Sequence, residues 1–249
     1  MSVYNLISQY ILIIGSIVAL VFLAVAGNEK RAATGLTRQN WKSAVLIVLA
    51  FVGIYIVRTV VSVAVQGVSD GSGMQHVKEW AAMFKNPMMW LNIAALPINY
   101  FFVFIAFFGE EYGWRYYLQP VLQKRFGLRA GVIILGVVWG LWHIPDDLFY
   151  YTQTSGIQMI FAQQITCISL GIFFAYAYMK TQNIWVPVCL HYLNNNLIPI
   201  ISGTFSADVL ENQTVSWKDL PVALVLNGLC FGFFLLADVF KKKEVQEEE

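Results

Sequence analysis

Charge is scarce in this chain. Aspartate, glutamate, lysine and arginine make up 12% of its 249 residues, about half the ~25% usual in soluble domains. Hydrophobic residues make up 58%, and the mean hydropathy is +0.60. So little polar material cannot coat a soluble core of this size. A soluble globular enzyme, a disordered chain and a fibrous protein are all excluded. The net charge of +1 provides no basic field for nucleic acid. Cysteine is scarce too. Cys167, Cys189 and Cys230 lie in apolar segments without CxxC spacing, so they read as small apolar residues, not as disulfides or metal ligands. There is no internal repeat and no low-complexity tract. Lysine and arginine are missing from residues 1–27, and Lys30-Arg31 follows the first apolar run. A secretory signal has the opposite order, so that run is expected to be a retained helix.

What is present is a series of long, continuous apolar runs, which argue against the alternating pattern of a β-barrel. The expected fold is an all-α polytopic membrane bundle, residues 1–240, with a charged cytosolic tail at 241–249. Spans are expected at 7–26, 44–66, 90–108 (reaching 120 in the longer reading), 130–146, 157–180, 184–202 and 220–240. That gives seven crossings, or eight if residues 87–97, ending at Pro97, form a separate short or re-entrant piece. With the N-terminus outside, inside segments carry 12 of the Lys and Arg residues and outside segments carry 3. This bias predicts N-out, C-in. Arg58 falls inside a span without an evident partner.

Ionisable groups at membrane depth are costly and tend to be functional. Three places qualify. In Gly109-Glu110-Glu111-Tyr112-Gly113-Trp114-Arg115, Glu111 and Arg115 are four apart and share a helix face. Glu110 points about 100° away, free of that cation. His143 ends an apolar helix, with Trp139 one turn back and Asp146 and Asp147 placed to orient its ring. His191 and Asn195, again four apart, sit mid-span. If residues 98–120 form one helix, Glu110 lies about 15 Å from its cytosolic end, His143 about 20 Å along its helix and His191 about 10 Å along its own. The three groups then share one layer, which favours the long helix. Each motif has a plain alternative: a charged helix end, an interfacial histidine, an interhelical hydrogen bond.

A glutamate and a histidine converging on one water can take its proton, and the hydroxide can attack a peptide carbonyl. A second histidine and an asparagine can donate to the oxyanion. No serine or cysteine nucleophile is evident, and the HExxH zinc helix is absent. Two histidines and a carboxylate also suit catalytic zinc, so zinc on Glu110, His143 and His191 stays open beside the simpler reading without a cofactor.

In this order, Glu110-Glu111-Tyr112-Gly113-Trp114-Arg115, Trp139-Gly140-Leu141-Trp142-His143 and His191-Tyr192-Leu193-Asn194-Asn195 resemble the CPBP family. This family comprises the CAAX proteases and bacteriocin-processing proteins and includes the Ras-converting type of prenyl endopeptidase. The motif region covers about residues 100–200. One departure is Trp139, where the family usually has phenylalanine. The resemblance implies an intramembrane glutamic endopeptidase on a bundle of about eight helices. Glu110 and His143 would activate water, and His191 and Asn195 would bind the oxyanion. Glu111, Arg115 and Trp139 would support them. The implied partners are a membrane-anchored peptide or protein substrate and the lipid bilayer, in a multi-pass protein of a cell membrane, for instance a bacterial plasma membrane. Two other classes compete. One is a non-catalytic immunity or scaffold protein; the other is a transporter, which the lack of related halves disfavours.

Overall fold

The computed structural model describes residues 39–70, 73–202 and 211–241, with isolated positions between 14 and 36. Regular structure among these residues is helical throughout. The elements are α1 (Trp41–Asp70), α2 (Gly73–Lys85), α3 (Pro87–Glu111), a π-helical segment (Tyr112–Leu118), α4 (Gln119–Phe126), α5 (Leu128–Trp142), α6 (Ile144–Phe149), α7 (Gly156–Thr181), α8 (Trp185–Ser202) and α9 (Asp219–Cys230). Two 3-10 turns follow, Gly232–Leu236 and Asp238–Phe240.

Among the described residues, four helical stretches are long and apolar enough to cross a membrane: Trp41–Val65, Pro87–Phe126, Leu128–Phe149 and Gly156–Thr181. The chain is a polytopic all-α membrane bundle. Its exterior is correspondingly apolar: Phe101 and Phe102 are 74% and 79% exposed, which suits a hydrocarbon surrounding and not water. More than half of the expected span 7–26 falls outside the described residues, as does most of the tail 241–249.

Three expectations are corrected. Pro97 does not start the third span; it lies inside α3. The helix begins ten residues earlier, where the Asn86 side chain accepts from the Met88 N–H and Pro87 takes the first position, a favoured start. Pro97 cannot donate to the preceding turn, and membrane helices tolerate this where neighbours satisfy the backbone. Beside it, the Tyr192 hydroxyl of α8 donates to the Leu96 carbonyl at 2.8 Å, tying α8 to this turn. Residues 87–97 are therefore the first turns of a 40-residue helical stretch, not a separate re-entrant piece. Last, 220–240 is not one helix. α9 has 12 residues and stops at Phe231 (φ −123°), after which the chain continues in 3-10 turns.

α7 is the hub. Its Leu170, Phe173, Phe174 and Ala177 are buried against Phe51 and Tyr55 of α1, Trp139 of α5, Leu190 of α8 and Phe231. Small residues let α5 approach it. A Cβ on Gly136 would sit 2.6 Å from the Ile168 Cα, and one on Gly171 would sit 3.5 Å from the Gly136 Cα. The α7–α8 turn is closed by Gln182 in the left-handed region (φ 51°). It is tied to the start of α1 by Asn40 Nδ2 donating to Thr181 O (3.1 Å) and Asn183 Nδ2 donating to Gln39 O (3.3 Å).

Candidate active site

The site begins where α3 widens into the π-helical segment. Pro120 lies at the start of α4 and has no N–H to offer the preceding turn. The wide turn accommodates it, with Gln119 N–H reaching back five residues to Trp114 O. Such bulges are frequent at functional sites. Glu111 closes α3, and Arg115 lies within the bulge. Both are 0% exposed.

As their spacing predicts, the two residues pair. Arg115 Nε donates to Glu111 Oε2 at 2.8 Å. Arg115 also donates from Nη1 to Gly171 O (3.2 Å) and packs its guanidinium on Trp139 (5.3 Å) and Phe174 (5.5 Å). Burying such a pair is costly, and these further contacts are what a buried ion pair needs to be tolerated.

Glu111 has a second partner that the spacing did not reveal. Its Oε1 lies 2.9 Å from His191 Nδ1 on α8. A carboxylate beside Arg115 accepts, so Nδ1–H is the donor and Nε2 is left for other work. The His191 ring is held by Phe107 (5.1 Å), Trp139 (5.4 Å) and Phe174 (6.1 Å).

His143 ends α5, as expected, and donates its backbone N–H to Gly140 O and Leu141 O. Its ring is fixed by the Trp139 carbonyl, 2.8 Å from Nδ1. A carbonyl only accepts, so Nδ1 carries the proton and Nε2 keeps its lone pair. The orienting group is thus a backbone carbonyl one turn back, in the place the sequence offered to Asp146 or Asp147. Asp147 is buried and both its oxygens lack a hydrogen-bond partner among the described residues.

Trp139 joins the two histidines, with ring centroids 5.9 Å from His143 and 5.4 Å from His191. The structure therefore gathers Glu111, Arg115, Trp139, His143 and His191 around one indole. Glu110 is partly exposed. Asn195 is exposed, and its Oδ1 accepts from Asn194 Nδ2 at 2.8 Å. Its own Nδ2 hydrogens remain to donate.

Tyr55 escaped the sequence reading. This buried residue of α1 donates its hydroxyl to Asn194 Oδ1, so a relay runs Tyr55–Asn194–Asn195. A tyrosine in an apolar run gives no local signal that its hydroxyl meets a residue 139 positions away. Cys167 also lies near, its Sγ 3.9 Å from His143 Nδ1. That nitrogen is protonated and committed to Trp139 O, so it offers the thiol no base. Among the described residues no three His, Cys, Asp or Glu side chains are grouped closely enough to hold an ion. Glu110, His143 and His191 therefore form no zinc ligand set in this conformation.

Known proteins resemble this same stretch. The family model "Type II CAAX prenyl endopeptidase Rce1-like" matches residues 91–197, which contain all three motifs. The match covers less than half of the chain and is a likeness of this region to that family. A CAAX prenyl protease 2 of Methanococcus maripaludis is 27% identical over 125 residues, covering 47% of this chain and 45% of that protein. The chain thus spans about half the length of the curated relative it matches. No solved structure matches it.

Proposed function

We propose that this chain is an intramembrane endopeptidase that hydrolyses a peptide bond of a membrane-anchored substrate with a water activated by Glu110 and His143. One observation carries the reading. Two histidines flank Trp139, each with Nδ1 committed, to Trp139 O in His143 and to Glu111 in His191, so each presents Nε2. Fixed ring orientation is what acid–base catalysis requires. The likeness of residues 91–197 to a CAAX prenyl endopeptidase family favours peptide hydrolysis as the reaction to which this geometry is put.

In the proposed sequence, the Glu110 carboxylate or His143 Nε2 takes a proton as the water oxygen attacks the carbonyl carbon. The carbonyl electron pair moves to oxygen, where Asn195 Nδ2–H and a doubly protonated His191 at Nε2 stabilise it. Collapse breaks the C–N bond, and the proton held by Glu110 or His143 passes to the leaving amine. Glu111 and Arg115 hold His191 and take no part in the proton transfers. The N-out, C-in orientation inferred from basic residues puts the water-binding layer towards the cytosol of a cell with a multi-pass plasma-membrane enzyme of this kind. The relative's name makes prenylated C-terminal peptides the first substrates to try, with leader peptides second.

The test is hydrolysis of membrane-anchored peptides by purified protein in lipid. Wild type is expected to cleave, and Glu110→Gln to remain folded and lose turnover. Equal biological activity of wild type and Glu110→Gln, with no cleavage by either, sinks the enzyme reading in favour of a scaffold or immunity protein.

A further inference from the structure

At one end of the bundle the closing turns of two spans meet around a cavity of about 560 Å³, within the usual range for small-ligand sites. Tyr116, Tyr117, Gln119 and Gln123 line it from the π-helical segment and α4, and Tyr178 and Gln182 line it from the last turn of α7 and its cap. None of the lining residues is charged. The amide donors of the wall are spent within it: Gln123 Nε2 donates to Leu128 O at 3.1 Å, and Gln182 Nε2 donates to Met179 O at 3.0 Å. Gln119 is 1% exposed, and its Oε1 has no hydrogen-bond partner among the described residues. Leaving such an oxygen unpaired is costly. The Gln119 Nε2 is held by a long bond, 3.4 Å to Gln123 Oε1, so the amide can turn its oxygen to the cavity at small cost. Tyr116 is fixed by stacking on Tyr112, with ring centroids 4.6 Å apart. An aromatic belt at the membrane surface accounts for an outward ring such as Tyr117, but not for a buried glutamine oxygen without a donor. Three phenol rings and an orphaned acceptor suit a ligand that is cationic and carries N–H groups.

We propose that this cavity binds the ethanolamine headgroup of a membrane phospholipid. A primary ammonium has three N–H donors. One can go to the Gln119 oxygen while the charge lies over a phenol face, where a desolvated cation is attracted by the ring. The adjoining phosphate has partners of its own. Lys124 and Arg125 follow Gln123 in sequence, Lys180 follows Met179, and all three are exposed. Basic residues at a membrane surface attract lipid phosphate. Depth agrees with a headgroup, because the cavity lies towards the ends of the spans Pro87–Phe126 and Gly156–Thr181 and not at their centres. Its lining shares no residue with the proposed active site, so the proposal stands independently of the endopeptidase reading. Tyr116 belongs to the π-helical segment that also carries Arg115. A headgroup held there would brace that wide turn and stabilise the fold.

The test presents the full chain, in maltoside micelles, with equimolar phosphatidylethanolamine, phosphatidylcholine and phosphatidylglycerol of the same acyl chains. Retained lipid is counted by native mass spectrometry. Phosphatidylethanolamine is expected to be retained at least about tenfold over the other two, since phosphatidylcholine has no N–H on its cation and phosphatidylglycerol has no cation, and each lacks a charge-assisted bond. It should also raise the thermal midpoint of the wild type. Gln119→Leu should bring the ethanolamine and choline lipids to parity and cancel that rise. Gln119→Glu keeps an acceptor, adds a charge and should hold or increase the preference, which decides the matter if the leucine variant does not fold. Equal retention of the three lipids overturns the proposal, as does a preference that survives Gln119→Leu or is lost in Gln119→Glu. Displacement of the lipid by free ethanolamine at equal concentration would assign the cavity to a soluble amine and overturn it. Displacement by a soluble lysine peptide, but not by its norleucine counterpart, would assign the cavity to a polypeptide and also overturn it.

Discussion

Glu111 and His191 meet across the α3–α8 interface, Oε1 to Nδ1 at 2.9 Å, while the other carboxylate oxygen holds Arg115 at 2.8 Å. The adjacent glutamates therefore differ in surroundings, Glu111 buried between two partners and Glu110 partly exposed. Glu111→Gln leaves the Arg115 charge buried without a counter-charge and loosens His191. Breaking one partner of a buried pair costs about 3–5 kcal/mol, so a clear drop in the thermal midpoint of the lipid-reconstituted protein is expected. Glu110→Gln, at a partly exposed residue, should leave that midpoint within a few degrees. Equal midpoints for the two variants would contradict this division.

The α5–α7 crossing permits a second test. A methyl group on Gly136 would meet the Ile168 backbone at 2.6 Å, whereas one on Gly228 meets nothing within 4 Å. Gly136→Ala should therefore force α5 off α7, at a cost of about 1–3 kcal/mol or more, and should lower turnover through Trp139 and His143 on the same helix. Gly228→Ala should be neutral or stabilising by up to about 1 kcal/mol, as expected for a helix interior. The comparison is read by thermal melting. Stability that is equally unaffected in both variants would show that the crossing relaxes without strain.

How much of this was legible beforehand follows from which signals are local. The scarcity of charge fixes a membrane bundle, and i, i+4 spacing gives the Glu111–Arg115 pair, because both are properties of short sequence windows. The Glu111–His191 bond joins residues 80 apart, and Tyr55–Asn194 joins residues 139 apart; no periodicity encodes either. Pro97 was misleading because its usual penalty is that of a helix in water, whereas membrane helices tolerate an interior proline. His143 was located by its place at a helix end, but the group that orients it is a backbone carbonyl, which leaves no trace in side-chain patterns. The final span failed for a related reason: apolarity continues through 231–240, but helical hydrogen bonding does not.

Cys167 offers a third test. Its thiol is 3.9 Å from the His143 ring, close enough to suggest a Cys–His pair. The shared nitrogen donates to Trp139 O at 2.8 Å, so it cannot take the thiol proton, and Cys167 is only 1% exposed. Cys167→Ala should keep turnover within about threefold of wild type, with a modest loss of stability from the lost packing. Thiol-directed reagents should leave the proposed peptidase activity intact. Loss of all turnover in Cys167→Ala, with the fold intact, would move the mechanism to a cysteine nucleophile.

In the proposed mechanism Tyr55 would act at one remove from the reacting atoms. Its hydroxyl donates to Asn194 Oδ1, and Asn194 Nδ2 donates to Asn195 Oδ1 at 2.8 Å. The relay fixes which side of the Asn195 amide presents its N–H groups, since asparagine oxygen and nitrogen exchange on a half-turn of the amide. Tyr55→Phe keeps the ring that packs on Phe51 and Phe231 and removes only the hydroxyl. Asn195 can then turn its oxygen towards the developing oxyanion. The expected result is a kcat lower by about tenfold, well short of the 10²–10³ typical when a donor is deleted, with KM little changed. Asn195→Ala should cost more, and combining it with Tyr55→Phe should add almost nothing, because the hydroxyl works through that amide. Additive losses in the double variant would mean that Tyr55 acts by another route, through Arg58 on its ring face or through packing alone.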